Sequence, residues 1–179
     1  MRWFAAVVAC MLVFTTATAC QTSDHDELQA AFTPEDDVEG VLIREMEQAH
    51  KQILVQAYLF TSQKIAAALV EAHRRGVDVR VLGDAEQESK VEGSLLPLLS
   101  AAGIPVWLQT KYQNAHDKII LIDPELLGGT VITGSFNFTW TAQHRNAENI
   151  LAVHGNRCLS SQFLANWQKK RADAVPFQK

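Results

Sequence analysis

The apolar residues alternate between helical and strand spacing, and this alternation limits the folds open to the chain. Segments with helical spacing or composition fall at residues 38–51, 65–75 and 94–102, and segments of strand character at 53–60, 77–82 and 106–108. Ser62 is placed to cap the second helix and Gly76 to end it. The β-α-β-α-β order predicts an α/β sheet with right-handed crossovers.

The second half of the chain adds a predicted hairpin, a strand and a final helix. Residues 119–122 and 130–133 are short apolar runs separated by turn residues, so we expect two strands joined by a turn. Residues 150–153 suit one more strand, and residues 159–171 a closing amphipathic helix with Phe163, Leu164 and Trp167 facing inward. A length of 179 residues, 47% of them hydrophobic, fits one globular domain.

The N-terminus has the features of an export signal. Met1 and Arg2 precede twelve apolar residues, 3–14, and residues 17–19 read Ala-Thr-Ala. This predicts a signal peptide over residues 1–19 and a periplasmic or secreted protein. The run is shorter than the ~20 residues of a spanning helix. Residues 17–20 also loosely resemble a lipoprotein box, so a membrane-anchored lipoprotein acylated at Cys20 is the alternative.

Two cysteines remain after the predicted signal, and their state is open. In an oxidising compartment Cys20 and Cys158 could pair, whereas an acylated Cys20 would leave Cys158 a lone thiol. Our favoured expectation for Cys158 is a small buried apolar residue on the last helix. No Cys/His cluster has zinc spacing.

The charge is uneven along the chain. The net charge of −4 argues against a protein that coats nucleic acid through bulk positive charge. Residues 20–47 carry nine acidic residues and one base, Arg44, while the remainder is mildly basic. We divide the mature chain into an acidic segment, 20–26, and a catalytic domain, 27–172. A phosphate-bearing substrate fits the basic part, although ordinary solvated charge explains it nearly as well.

Polar residues interrupt the two hairpin strands where packing alone would not place them. His116 and Lys118 precede the first strand and, at a period of two, point to the same face. After the second strand, Gly134 lets backbone approach a bound group, and Ser135 and Asn137 offer hydrogen bonds. If the strands are adjacent, an imidazole, an ammonium and neutral polar groups converge. Together these groups can bind a phosphate and attack its phosphorus.

These residues resemble the signature of the phospholipase D superfamily, H-x-K-x4-D-x6-G-S-x-N. His116, Lys118, Asp123, Gly134, Ser135 and Asn137 match it, but ten residues instead of six separate Asp123 from Gly134. The extra four are expected to lengthen the hairpin turn. With other short matches across residues 27–171, the chain looks like the small single-motif bacterial endonucleases of this superfamily. The resemblance implies a mixed, mostly parallel sheet with helices on both faces.

The resemblance also implies roles for the residues. His116 attacks phosphorus, and His116 of a second subunit protonates the leaving oxygen, which requires a homodimer with the active site at its twofold interface. Lys118, Ser135, Asn137 and Gly134 surround the phosphate, and no cofactor or metal is expected. Glu148 corresponds to a family glutamate that orients the histidine. Asp123 belongs to the catalytic signature, but we expect it to support loop geometry.

Neighbouring residues have simpler interpretations. We expect Asp117 and Lys111 to be exposed charges, and His144 to contact substrate or to be a solvated loop residue. Trp140 has two interpretations, stacking of a base and packing beneath the loop. Packing is the favoured expectation for it, as for Phe136 and Phe138.

The leading prediction is an exported, metal-independent phosphodiesterase, a nonspecific endonuclease that forms a phosphohistidine intermediate. The alternatives are a phospholipase D acting on phospholipid headgroups, which a lipidated Cys20 would favour, and a non-catalytic nucleic-acid-binding module. The choice among single-stranded DNA, duplex DNA, RNA and phospholipid is not specified by the sequence, and neither is the biological role.

Overall fold

A computed structural model describes residues 19–23, 26–127 and 129–178, which form one mixed sheet with helices on both faces. The strands are β1 (Glu27–Phe32), β2 (Gln52–Ala57), β3 (Asp78–Asp84), β4 (Val106–Gln109), β5 (Ile119–Ile122), β6 (Thr130–Gly134), β7 (Asn149–His154) and β8 (Val175–Pro176). The helices are α1 (Val38–Glu47), α2 (Gln63–Arg74), α3 (Ala85–Lys90), α4 (Leu96–Ala101), α5 (Trp140–His144) and α6 (Arg157–Asp173). The α/β architecture is confirmed.

The sheet order is β1-β7-β6-β5-β2-β3-β4-β8. Two of its pairings, β2–β3 and β3–β4, are parallel, and the other five are antiparallel. The expectation of a mostly parallel sheet is therefore corrected, although the mixed sheet is confirmed. Parallel pairs need a crossover, and in the sheet only the segment from β2 to β4 supplies helical crossovers between neighbouring strands.

The two faces of the sheet bury different helices. Ile53 and Val55 of β2 belong to a large apolar cluster that includes the buried residues of α1, α2 and α4. Leu54 points to the other face, where Trp167 of α6 is buried and Phe163 and Leu164 pack alongside. The inward orientation of these three α6 residues is confirmed.

Local signals explain several boundaries. The Ser62 hydroxyl accepts from the Ile65 N–H and caps α2, and Gly76, at φ 91°, follows the end of that helix. The first helix ends at Glu47, earlier than expected, because residues 50–52 turn into β2. The sequence patterns missed β1, α3, α5 and β8. Of these, β1 is mostly exposed, α3 has no buried residue and β8 has only two residues.

The N-terminal segment is joined to α6. Cys20 and Cys158 form a disulfide across 138 residues of sequence. Cys158 is exposed, so the expectation of a buried apolar residue is wrong: it lies on the outer surface of α6, where its sulfur meets the incoming chain. A sulfur in a disulfide cannot carry a thioether-linked lipid, so Cys20 is not free for acylation in this structure.

Residues 1–18 of the predicted signal peptide lie outside the described part of the chain. Of the helices that the structure describes, none combines the length and apolar character needed to span a membrane. The folded unit continues past the predicted boundary at residue 172, since β8 pairs with β4.

Candidate active site at one edge of the sheet

The polar motif lies beyond the ends of two adjacent strands. Strands β5 and β6 pair antiparallel with Ile119 opposite Thr133, which confirms the predicted hairpin. The residues before β5 and those after β6 therefore meet at one edge of the sheet, and the turn joining the strands is at the opposite edge. The four additional residues lengthen that distant turn.

Tyr58 brings the imidazole and the ammonium together. Its ring centroid lies 4.3 Å from that of His116, and the Lys118 Nζ lies 4.9 Å from the same tyrosine ring. The Lys118 Nζ also donates to the His116 carbonyl oxygen at 2.7 Å. His116 is exposed, whereas Lys118 is only 6% exposed. The site thus presents an accessible imidazole beside a largely desolvated positive charge.

Burial lowers the pKa of the Lys118 ammonium. Desolvation is the main cause, and the nearby carboxylates of Asp117 and Glu148 oppose it. An anion bound beside this lysine would replace some of its lost solvation. The geometry therefore suits recognition of a phosphate group.

Helix α6 holds the residue between the histidine and the lysine. The Asp117 carboxylate forms a short ion pair with Lys170 and accepts from the Gln56 amide at 3.2 Å. Asp117 is half-buried, so the expectation of a merely exposed charge is wrong. Alternation along the chain turns it to the α6 face, opposite His116 and Lys118. Lys111 is exposed as expected, although it pairs with Asp173 at 2.6 Å.

A second carboxylate fixes the start of the motif. Asp84, only 1% exposed, caps α3 through the Gln87 N–H at 2.8 Å. Its other oxygen accepts from the Ala115 N–H at 2.6 Å. Asp84 thereby anchors the backbone one residue before His116.

The β6 end of the site is held against β7. The Ser135 hydroxyl accepts from the backbone N–H of Asn149 at 3.1 Å. A side chain at Gly134 would place its Cβ 2.1 Å from the Asn149 carbonyl oxygen. Glycine is thus required here by the close approach of β7, and the predicted approach of this backbone to a bound group stays a prediction.

Asn137 carries an unsatisfied polar atom. Its Oδ1 is buried and has no hydrogen-bond partner within the described chain. Such atoms are uncommon because burial without a partner costs free energy.

Phe136 and Phe138, on either side of Asn137, are 1% and 3% exposed, which confirms their predicted packing role.

Glu148 lies near the lysine, with its backbone fixed. Thr33 donates its N–H to the Glu148 carbonyl at 3.0 Å, and the Thr33 hydroxyl accepts from the Glu148 N–H at 3.0 Å. The Glu148 carboxylate accepts from the Asn146 amide at 2.8 Å. Its predicted hydrogen bond to the ring of His116 stays a prediction.

Asp123 is separated from the other motif residues, because it follows β5 whereas His116 and Lys118 precede it. Its carboxylate accepts from three successive backbone N–H groups, His50 at 2.8 Å, Lys51 at 2.7 Å and Gln52 at 2.8 Å. These bonds tie the end of β5 to the start of β2. The contacts agree with the expected loop-supporting role, and they keep this carboxylate away from the imidazole.

A small cavity of about 10 Å³ adjoins the site beside Tyr58 and Asp84. A cleft of about 540 Å³ lies at the opposite edge of the sheet, where it includes His50, Asp123 and His154. Within the described ranges, no group of three or more His, Cys, Asp or Glu side chains is arranged to hold a metal ion. We place the chemistry at His116 because reactive side chains converge there.

Tyr58 and Asp84 were missed by the sequence patterns. Both follow or end apolar strands of the predicted sheet, which is the usual place for site residues in α/β proteins. The pairing of β2 with β5 sets Gln56 opposite Ile119, and this register brings Tyr58 to the histidine. The sequence patterns do not specify this antiparallel pairing of β2 with β5, so they could not place Tyr58 beside His116.

Comparison with known sequences gives consistent matches over most of the chain. Residues 42–170 match the family model described as "Cardiolipin synthase, PLD-like domain". A phospholipase D of Rickettsia prowazekii is 38% identical over 155 residues, covering 86% of this chain and 73% of that protein. A mitochondrial cardiolipin hydrolase of Mus musculus is 30% identical over 131 residues, covering 72% of this chain and 57% of that protein.

Solved structures agree on the fold. The phospholipase D family member Nuc from Salmonella typhimurium superimposes with a TM-score of 0.79 at 30% identity, covering 87% of this chain and all of that one. NucT from Helicobacter pylori gives a TM-score of 0.77 at 22% identity, covering 86% of this chain and 100% of that one. At that identity, the second match supports the fold alone.

Proposed function

The chain belongs to the phospholipase D superfamily and is a phosphodiesterase, and on this premise we propose that it is an exported, metal-independent endonuclease that works as a homodimer. The observation that carries the proposal is the exposed His116 imidazole beside the buried Lys118 ammonium, both in contact with Tyr58. The intact catalytic set of this chain argues against the alternative of a non-catalytic binding module.

The proposed reaction has two displacements at phosphorus. A ring nitrogen of His116 attacks phosphorus and forms a phosphohistidine, while the bond to the leaving oxygen breaks. The imidazolium of His116 of the partner subunit gives its proton to that oxygen. Water then attacks phosphorus, its proton returns to the partner's His116, and the phosphorus–nitrogen bond breaks.

The remaining motif residues stabilise the charge on phosphate. Lys118 supplies a positive charge that solvent hardly screens, since its side chain is almost fully buried. The Asn137 amide and the Ser135 hydroxyl are the neutral partners for nonbridging oxygens. Because the ammonium neutralises phosphate charge, the proposed reaction needs no divalent ion.

The presence of one signature motif per chain supports a homodimer with a shared active site. One histidine cannot be both the neutral nucleophile and the protonated acid in one step. In the described chain His116 is exposed, so a second copy can approach it. A twofold interface at this edge would place two imidazoles and two ammoniums around one phosphate.

Nucleic acid is the favoured substrate because His116 is exposed beyond the end of β5, where an extended polyanion can reach it. The small single-motif chain, with its resemblance to bacterial endonucleases, supports the same choice. Phospholipid headgroup hydrolysis is the second candidate. The name phospholipase D carried by the Rickettsia prowazekii relative favours it.

Export is supported by two features that are independent of the site. The N-terminal residues have the order of a signal peptide. The Cys20–Cys158 disulfide fits an oxidising compartment, such as the periplasm or the cell exterior.

The substrate test incubates the purified protein in EDTA with plasmid, RNA and phosphatidylcholine vesicles in parallel. We expect nucleic acid to be cleaved and an acid-labile phosphoryl-enzyme to be trapped, and His116→Asn to abolish both. Consumption of phosphatidylcholine alone would establish the second candidate. Strict dependence on added magnesium would contradict the mechanism.

The dimer test mixes wild-type protein with His116→Asn protein and allows the subunits to exchange. If each site needs two histidines, activity follows the square of the wild-type fraction, about one quarter at equal amounts. A linear dependence, or a monomer in sedimentation, would contradict the shared site.

A further inference from the structure

Trp140 is the exposed tryptophan of the described chain. Its side chain is 56% exposed, whereas Trp167 is 2% exposed and Trp107 is half-buried. The expectation that Trp140 packs beneath the loop is therefore wrong. On α5 the buried residues are Ala142 and Gln143, so the helix turns the tryptophan outward.

Two basic residues accompany this ring. The His144 ring lies one turn along α5, with its centroid 4.6 Å from that of Trp140. The Arg145 guanidinium carbon is 5.5 Å from the same indole centroid. All three side chains are exposed, so an aromatic face with adjacent positive charge is open to solvent.

The chain path places this group beside the active site. Helix α5 lies between Asn137 and Glu148, and both of these residues belong to the candidate site. Trp140 is the third residue after Asn137, so their Cα atoms are at most about 11 Å apart. A base near the scissile phosphate is therefore within reach of the indole.

We propose that Trp140, with His144 and Arg145, forms a stacking platform for an unpaired base next to the scissile phosphate, so that single-stranded nucleic acid is the favoured substrate. The inference rests on the proposed function. An exposed indole offers its face to any base without sequence preference. The neighbouring Arg145 guanidinium suits the negatively charged flanking phosphates. A duplex keeps its bases stacked on each other, so it cannot use the platform without unpairing.

The test measures binding and cleavage together. In a His116→Asn background, which prevents cleavage, dissociation constants are measured for an oligothymidylate and for an abasic oligonucleotide of equal length. We expect Trp140→Ala to weaken binding of oligothymidylate about 5- to 150-fold, the loss for one stacked base. The abasic strand should bind both proteins equally, and Trp140→Phe should restore most of the affinity.

A distant surface substitution is the matched control. Leu127 is 87% exposed in the turn at the opposite edge of the sheet. Leu127→Ala should bind both oligonucleotides as its parent does. Cleavage by the active enzyme should likewise favour single strands over duplex, and Trp140→Ala should remove that preference.

Several results would overturn the platform. Equal weakening for the intact and abasic strands would show that the indole does not stack a base, even if wild-type protein cleaves nucleic acid. Binding to phosphatidylcholine vesicles is measured in parallel. If Trp140→Ala weakens vesicle binding and leaves oligonucleotide binding unchanged, Trp140 contacts a lipid surface. Failure of wild-type protein to cleave any nucleic acid would refute the proposed function itself, and the platform with it.

Discussion

Substitution of Asp123 separates structure from chemistry within the signature motif. Its carboxylate accepts three backbone N–H groups, and the residue is 7% exposed. Asp123→Ala removes all three acceptors and leaves the donors at the start of β2 without partners. Asp123→Asn keeps an acceptor for the two N–H groups on Oδ1 and loses the bond from the His50 N–H.

The expected losses follow from the number of bonds. A hydrogen bond to a charged group contributes about 1.5–3 kcal/mol. Because the donors are partly exposed, we use the lower figure, which gives about 4–5 kcal/mol for Asp123→Ala and at least about 1.5 kcal/mol for Asp123→Asn, in which the two remaining bonds are made to a neutral oxygen. A protein of this size loses ~2–4 °C in Tm per kcal/mol, so the alanine variant should melt about 10 °C lower or more. Asparagine also tolerates the positive φ of 47° at this position.

The assay has two parts. Thermal unfolding gives the Tm of each variant, and hydrolysis of a chromogenic phosphodiester is measured well below both melting temperatures. We expect kcat/KM to change less than about tenfold, against at least ~10³-fold for His116→Asn. Asp78→Asn is the control, because the half-exposed Asp78 carboxylate accepts from the Gln52 side-chain amide and pairs with Arg80, so that its replacement should cost little. A large loss of kcat with an unchanged Tm would refute the structural role of Asp123.

Three further substitutions test the site and the N-terminal link. Tyr58→Ala should lower kcat about 10–100-fold through misplacement of His116, with little change in KM, while Tyr58→Phe keeps the ring and most activity; equal loss in both would implicate the hydroxyl. Lys118→Met should abolish activity yet leave Tm unchanged or higher at neutral pH, because it removes a desolvated ammonium. Burial lowers the pKa of Lys118, so burying the charged lysine destabilises the folded wild-type protein below the folded-state pKa, and this destabilisation disappears as pH rises to the ordinary value of 10.5. The denaturation curves of wild-type and Lys118→Met protein should therefore converge at high pH. Cys158→Ser should lower stability by at most ~5 kcal/mol with hydrolysis retained, and unchanged melting with and without reductant would refute a Cys20–Cys158 link.

Much of the fold could be predicted from local patterns. The Ser62 cap, the Gly76 stop and the alternation of helices and strands depend on residues close in sequence, and they define the first α/β units. The hairpin of β5 and β6 was predictable for the same reason, since its strands are separated by a single turn. Edge elements such as β1 and β8 were not, because exposed or very short strands carry little hydrophobic pattern.

By itself, the sequence determined the main helices and strands of the α/β units, the hairpin, and the candidate reacting side chains, His116 and Lys118. Only the tertiary structure decided how they are supported: Tyr58 contacts both, Asp84 fixes the preceding backbone, and Lys170 holds the intervening Asp117. These partners are 31 to 60 residues away along the chain, and local periodicity contains no information about which distant strands pair. Strand register and the packing of α6 bring them together, because they are set by burial of the whole sheet.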